Sequence, residues 1–189
     1  MQRWADSQTN GQQTNDAAFR FTHRQAAWFA YVGMLVISLA GVLIVVGAPW
    51  LRAHGFEFMS GILYDALRPV CHQIPSRSFH YHEYPWALCS RFSALLIGGA
   101  LGLLLVPIIR SLDTAVPKRH WLLIAAIPSA VDVAVGWLGI PNTFLSRTVT
   151  GGLLGSVTAF YLVPAMVAAM QELLVHRSCR QEPVAHLGQ

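Results

Sequence analysis

Apolar residues in this chain come in continuous runs, without the 3.6-residue or two-residue recurrence of an amphipathic helix or a half-buried strand. A helix needs about 20 such residues to cross a bilayer. Four runs reach that length, at about 27–48, 86–109, 121–140 and 149–170. The first and fourth carry no charge, the second has Cys89 and Arg91 in its opening turns, and the third holds a single acid, Asp132. This pattern predicts an all-α integral membrane protein of four transmembrane helices, with a long extracytoplasmic loop between the first and second. A single membrane domain then covers 25–175, flanked by cytoplasmic tails at 1–24 and 176–189. The leading tail is rich in Gln, Thr, Asn and Ser, has no apolar period, and is expected to be disordered. The first run exceeds the roughly 7–15 apolar residues of a signal peptide and so reads as a retained span.

Composition narrows the class further. Of 189 residues, 54% are hydrophobic and 12% charged, against about a quarter charged in an average soluble domain. That excludes a water-soluble domain, and with only three cysteines it also excludes a disulfide-dense secreted scaffold. The net charge of +4 is scattered between apolar runs. It forms no basic stripe for nucleic acid. The expected partner is the lipid bilayer, with a homo-oligomer or larger membrane complex left open. Eight Lys and Arg residues fall on the side of the termini against five on the other, namely Arg52, Arg68, Arg77, Arg91 and Arg147. The positive-inside rule then puts both termini in the cytoplasm and the chain in a bacterial inner membrane.

Candidate chemistry gathers in the loop at 50–85 and its junction with the second span. Its first half, 56–67, is expected to form a short helix with Phe56, Met59, Ile62, Leu63 and Leu67 on the membrane surface. Its second half supplies Cys71, His72, His80, His82, Glu83 and Cys89, enough ligands for a transition-metal or haem site. His80 and His82, two apart, would point to one face of an extended segment. The spacing contains neither C-x-x-C nor H-x-x-x-H. Three readings therefore stay open: a Cys71–Cys89 disulfide, a metal or haem site, and unlinked thiols. Cys179, in the C-terminal tail, reads as a free thiol.

A charge at the centre of a span costs about 2.5–3.5 kcal/mol on insertion scales, so Asp132 needs a partner. Arg91 and Arg147 belong to the same end of the bundle, and Arg77 and Asn142 complete a candidate polar cluster there. That cluster serves either as a ligand site or as a structural ion pair. Gly98-x-x-x-Gly102 and Gly151-x-x-x-Gly155 suit close helix packing in lipid. No phosphate-loop, Ser-His-Asp, H-E-x-x-H or G-x-S-x-G pattern is present, so nothing marks a catalytic site.

Cys71-His72-Gln73-x-Pro75-x-Arg77-Ser78-Phe79, followed by Cys89-x-Arg91 at a helix start, resembles a family of small bacterial membrane proteins named only for a domain of unknown function. In its typical members the second element reads C-x-R-C followed by Thr-Gly, and a D-G … N … R-x-x-T-G segment comes later. This chain has Asp132, Asn142, Arg147, Thr150 and Gly151 in that order. The resemblance covers roughly 60–160. It departs at Phe92, which stands for the last cysteine of C-x-R-C, and at Val133, which stands for the glycine after the aspartate. A three-cysteine site implied by the family is therefore incomplete here. The resemblance implies the membrane architecture and brings no activity with it. The expected function is that of a non-catalytic binding or accessory protein holding a metal, haem or small polar ligand. The alternatives are a structural subunit with a Cys71–Cys89 disulfide, and a small membrane enzyme or carrier using Asp132.

Overall fold

The computed structural model describes residues 2–109, 116–140 and 142–181, with side chains between 24 and 173 in those stretches except Ala26. In chain order the elements are α1 (Gln2–Ala53), α2 (Glu57–Leu67), a 3-10 turn (Pro75–Arg77), β1 (Ser78–Tyr81), β2 (Tyr84–Cys89), α3 (Ser90–Ile109), α4 (His120–Trp137) and α5 (Phe144–Gln181). Among the described residues, four helical stretches are long and apolar enough to cross a membrane: Ala27–Ala53, Ser90–Ile109, His120–Trp137 and Phe144–Leu173. The side chain of Cys179 lies outside the described set, as does all of 182–189.

Two boundaries differ from the apolar runs for physical reasons. The second span starts at Ser90, because Tyr84–Cys89 pairs antiparallel with Ser78–Tyr81 as a hairpin. In a two-stranded sheet every strand is an edge, so Pro85 is tolerated. The helix of the first span is continuous back to Gln2, through the polar stretch that composition assigns to disorder. No proline interrupts it before Pro49, and extending an existing helix needs no new nucleus.

Three contacts set the topology of the spans. Tyr31 Oη donates to the Leu103 carbonyl at 3.1 Å, tying the start of the first span to the far end of α3. At the start of α4, Tyr161 Oη accepts from Leu122 N at 3.2 Å and donates to the Lys118 carbonyl at 2.7 Å. A residue of α5 thus satisfies backbone groups at a helix start whose own N-cap, Arg119, makes no side-chain bond. Between α3 and α5, which run parallel, lies the largest helix interface. Gly98 meets the backbone of Gly152, Gly102 meets Ser156 and Ala159, Gly151 meets the Arg91 carbonyl, and Gly155 meets the Leu95 carbonyl. A Cβ on Gly102 would stand 2.5 Å from the Ser156 carbonyl oxygen. Lipid offers helices no hydrophobic drive to associate, so this backbone-to-backbone fit, with its summed dispersion, holds the pair. Ser156 Oγ adds a hydrogen bond across it, to the Gly98 carbonyl at 3.0 Å.

These pairings place the loop over one end of the bundle. Its α2 is anchored by Ser60, fully buried, which donates to the Ala48 carbonyl of α1 at 2.7 Å. Phe58, Met59 and Ile62 remain exposed on α2, as does Phe56 just before it. Tyr64 Oη donates to the Pro85 carbonyl, and Gln73 Nε2 donates to the Tyr64 carbonyl at 2.6 Å. Phe79 of the hairpin packs between Trp86 and Phe144, with ring centroids 4.9 and 4.7 Å away. The loop is thereby joined to α1 on one side and to the start of α5 on the other. A small apolar cluster of Val45, Cys71 and Leu88 lies beneath it.

Candidate functional site

The site is built outward from Asp132, whose side chain is 9% exposed. Thr143 precedes α5 and caps it, its Oγ1 accepting from Ser146 N at 3.1 Å. That first turn brings Ser146 to α4, where its Oγ lies 2.7 Å from Asp132 Oδ1 and 2.9 Å from the Thr143 carbonyl. The hydroxyl has one proton to donate, and the ionised carboxylate is the stronger acceptor. On the other carboxylate oxygen, Oδ2, Asp132 takes the Arg91 guanidinium in an ion pair. Asn142 donates through Nδ2 to the Asp132 main-chain carbonyl. Gly136 makes room for that amide, since a Cβ there would stand 3.2 Å from both its terminal atoms. Three helices thus meet at one acid.

Beside the ion pair lies a cavity of about 460 Å³. Arg77, Arg91, Arg147, Asn142 and Cys89 form its polar wall, and Phe92, Val133, Trp137 and Ile140 form its apolar wall. Asp132 is not among its lining residues; it lines a second, mainly apolar cavity with Ser146 and Thr150. Among the described residues the ion pairs are Arg91–Asp132 and Arg68–Asp65, so Arg77 and Arg147 bring uncompensated positive charge to the first cavity. Two buried polar atoms at its wall, Arg91 Nε and Asn142 Oδ1, have no hydrogen-bond partner. Both are closed off from the cavity, so its polar wall offers chiefly the cationic donors of Arg77 and Arg147.

The cysteines and histidines are placed differently from one another. Cys71 is buried and Cys89 half-buried, both are free thiols, and Cys89 N donates to Cys71 Sγ at 3.3 Å. His72, His80 and His82 are all exposed. Their expected shared face does not form: His82 sits in the hairpin turn with φ +53°, which ends the strand alternation after Tyr81. Among the described residues no three His, Cys, Asp or Glu side chains converge as metal ligands would.

Burial pushes the Cys89 thiol up from its ordinary value, and the neighbouring Cys71 thiol adds to the shift. Cys89 therefore stays protonated at neutral pH, where the thiolate is the reactive form. Alkylation of Cys89, followed by peptide mapping, is expected to run about tenfold or more slower at pH 7.5 than for an exposed thiol. Its rate should keep rising with pH beyond the ordinary thiol range, where that of an exposed thiol has levelled off. Rapid labelling at neutral pH would contradict this placement.

Sequence reading missed Ser146, Thr143 and Gly136. A signal existed for the first two: a threonine directly before an apolar run is an N-cap pattern, and the third residue after it faces back over the cap. Nothing in the sequence pointed to Gly136, whose role depends on where Asn142 lands.

A family model described as "Predicted membrane protein (DUF2085)" matches residues 71–161. An uncharacterized protein of Methanocaldococcus jannaschii is 32% identical over 141 residues, covering 71% of this chain and 90% of the relative. The chain belongs to the DUF2085 family. This relative is archaeal. The DUF2085 match takes in the hairpin, both cysteines and every arginine of the cavity, while α1 and α2 precede it. No solved structure matches the chain.

Proposed function

We propose that this DUF2085 member is a non-catalytic binding protein whose ligand is small, polar and anionic and occupies the arginine-lined cavity. The observation that carries the reading is the pair Arg77 and Arg147, uncompensated beside an Arg91 already held by Asp132. An anion there gains charge-assisted hydrogen bonds from preplaced donors. The Lys and Arg distribution supports a multi-pass protein of a bacterial inner membrane with cytoplasmic termini, which makes the loop and cavity extracytoplasmic. Asp132 serves as a positioning residue: its carboxylate is engaged by Arg91 and Ser146, which argues against a carrier or enzyme that cycles it.

A second reading keeps the protein as a structural subunit with a Cys71–Cys89 disulfide. It is supported by the closeness of the two residues, with Cys89 N 3.3 Å from Cys71 Sγ.

Thermal unfolding of the purified protein in nanodiscs separates the readings. Acetate, citrate, sulfate and phosphate should each be compared with zinc, copper(II) and haem. A midpoint raised by anions in the wild type and unmoved by them in Arg147→Gln supports the binding reading. A rise with metal or haem alone supports the cysteine-histidine site instead. Indifference to every addition, with a fall on reduction, supports the structural subunit.

A further inference from the structure

The cavity has two chemically different walls, and it sits where the loop-side ends of α3, α4 and α5 meet. Arg91 is the second residue of the Ser90–Ile109 span, Arg147 the fourth of Phe144–Leu173, and Trp137 the last of His120–Trp137. All three stand at or near the loop-side ends of their spans, the ends at which an interface with headgroups is expected. Trp137 is 87% exposed, and Leu138 and Ile140 beside it are exposed too. The apolar wall is therefore continuous with the exposed apolar surface, while of the cationic wall Arg91 and Arg147 are half-buried and Arg77 is exposed at the rim.

Resting on the anion-binding reading above, we propose that the ligand is a phosphate ester with an apolar body. Its phosphate sits among Arg77, Arg91 and Arg147, and its apolar part lies along Phe92, Trp137 and Ile140. A carboxylate has two oxygens and one charge, and a single guanidinium satisfies it. A phosphate monoester has three free oxygens and nearly two charges, which matches the two uncompensated guanidiniums of Arg77 and Arg147. About 460 Å³ is far more room than a carboxylate or a bare phosphate fills. The same chemistry reaches the site either as an anionic lipid headgroup from the adjoining leaflet or as a soluble phosphate ester.

The test uses the full chain in phosphatidylcholine nanodiscs and calorimetric titration with hexyl phosphate, hexanoate and inorganic phosphate. Hexyl phosphate is expected to bind about tenfold or more tightly than either of the others, over hexanoate by one strong charge-assisted contact and over inorganic phosphate by burial of part of its hexyl chain. Arg77→Gln and Arg147→Gln should each weaken it about tenfold while leaving the unfolding midpoint of the free protein in place. Trp137→Ser should weaken hexyl phosphate and leave inorganic phosphate unchanged. Displacement of hexyl phosphate when the disc contains phosphatidic acid marks the leaflet as source, and binding without displacement marks a soluble ester. Hexanoate or inorganic phosphate binding as tightly as hexyl phosphate overturns the inference while leaving an arginine-dependent anion site standing. If no anion binds in an arginine-dependent way, the anion-binding reading falls as well.

Discussion

Gly98→Ala is expected to cost the folded bundle at least about 3 kcal/mol, the upper part of the overpacking range, whereas Gly99→Ala, one residue on, is expected to be tolerated. A Cβ on Gly98 would run into the carbonyl, Cα and carbonyl carbon of Gly152, all backbone atoms that no rotamer change can move. At Gly99 the nearest atom to a new Cβ is the Gly155 carbonyl oxygen at 3.8 Å, an ordinary contact. Gly155→Ala should behave like Gly98→Ala, because its Cβ would enter the backbone of Leu95 and Gly99. Gly47→Ala on α1, with nothing within 4 Å, is a control expected to be neutral or stabilising. The readout is the monodisperse fraction and unfolding midpoint in detergent. Equal behaviour of the Gly98 and Gly99 variants would contradict the seam.

Asp132→Ala is expected to be the second large effect, at about 3 kcal/mol, since it strands Arg91 inside the bundle without its counter-charge. The lower end of the buried-pair range applies because the Arg91 side chain is 23% exposed. Asp132→Asn should cost less, because its carbonyl still accepts from Ser146 and the Asn142 bond goes to the main chain. Replacing both partners, Asp132→Leu with Arg91→Leu, should recover most of the stability lost by Asp132→Leu alone, since no charge is left unpaired. Chemical unfolding of the wild type, Asp132→Leu, Arg91→Leu and the double variant completes the cycle. If Asp132→Ala unfolds like the wild type, the ion pair does not hold α3 to α4.

Much of this was legible in the sequence, and the reasons differ from part to part. The four spans follow from run length, because the bilayer imposes a length on any helix that crosses it. The polar cluster was legible because an acid in a span must find a partner, and few were in reach. The glycine pairs were visible as i, i+4 repeats, though not which helix each would meet. The hairpin was not legible. Tyr84–Cys89 is apolar enough to extend the second run, and only pairing with Ser78–Tyr81 makes it a strand. The histidines misled for the same reason, since two residues apart means one face only while the strand continues past His82. Cavities follow from how elements pack, so the arginines were grouped from the sequence, but the cavity they line, and its apolar wall of Phe92, Trp137 and Ile140, appeared only in three dimensions.

Equilibrium dialysis of the nanodisc-embedded protein against labelled sulfate tests the anion site most directly, because sulfate brings charge and oxygens with no apolar part. The expected result is saturable binding of one sulfate per chain, abolished in the Arg77→Gln/Arg147→Gln double variant while that variant still folds. Binding that never saturates, or that survives unchanged in the double variant, would contradict a ligand site at these arginines.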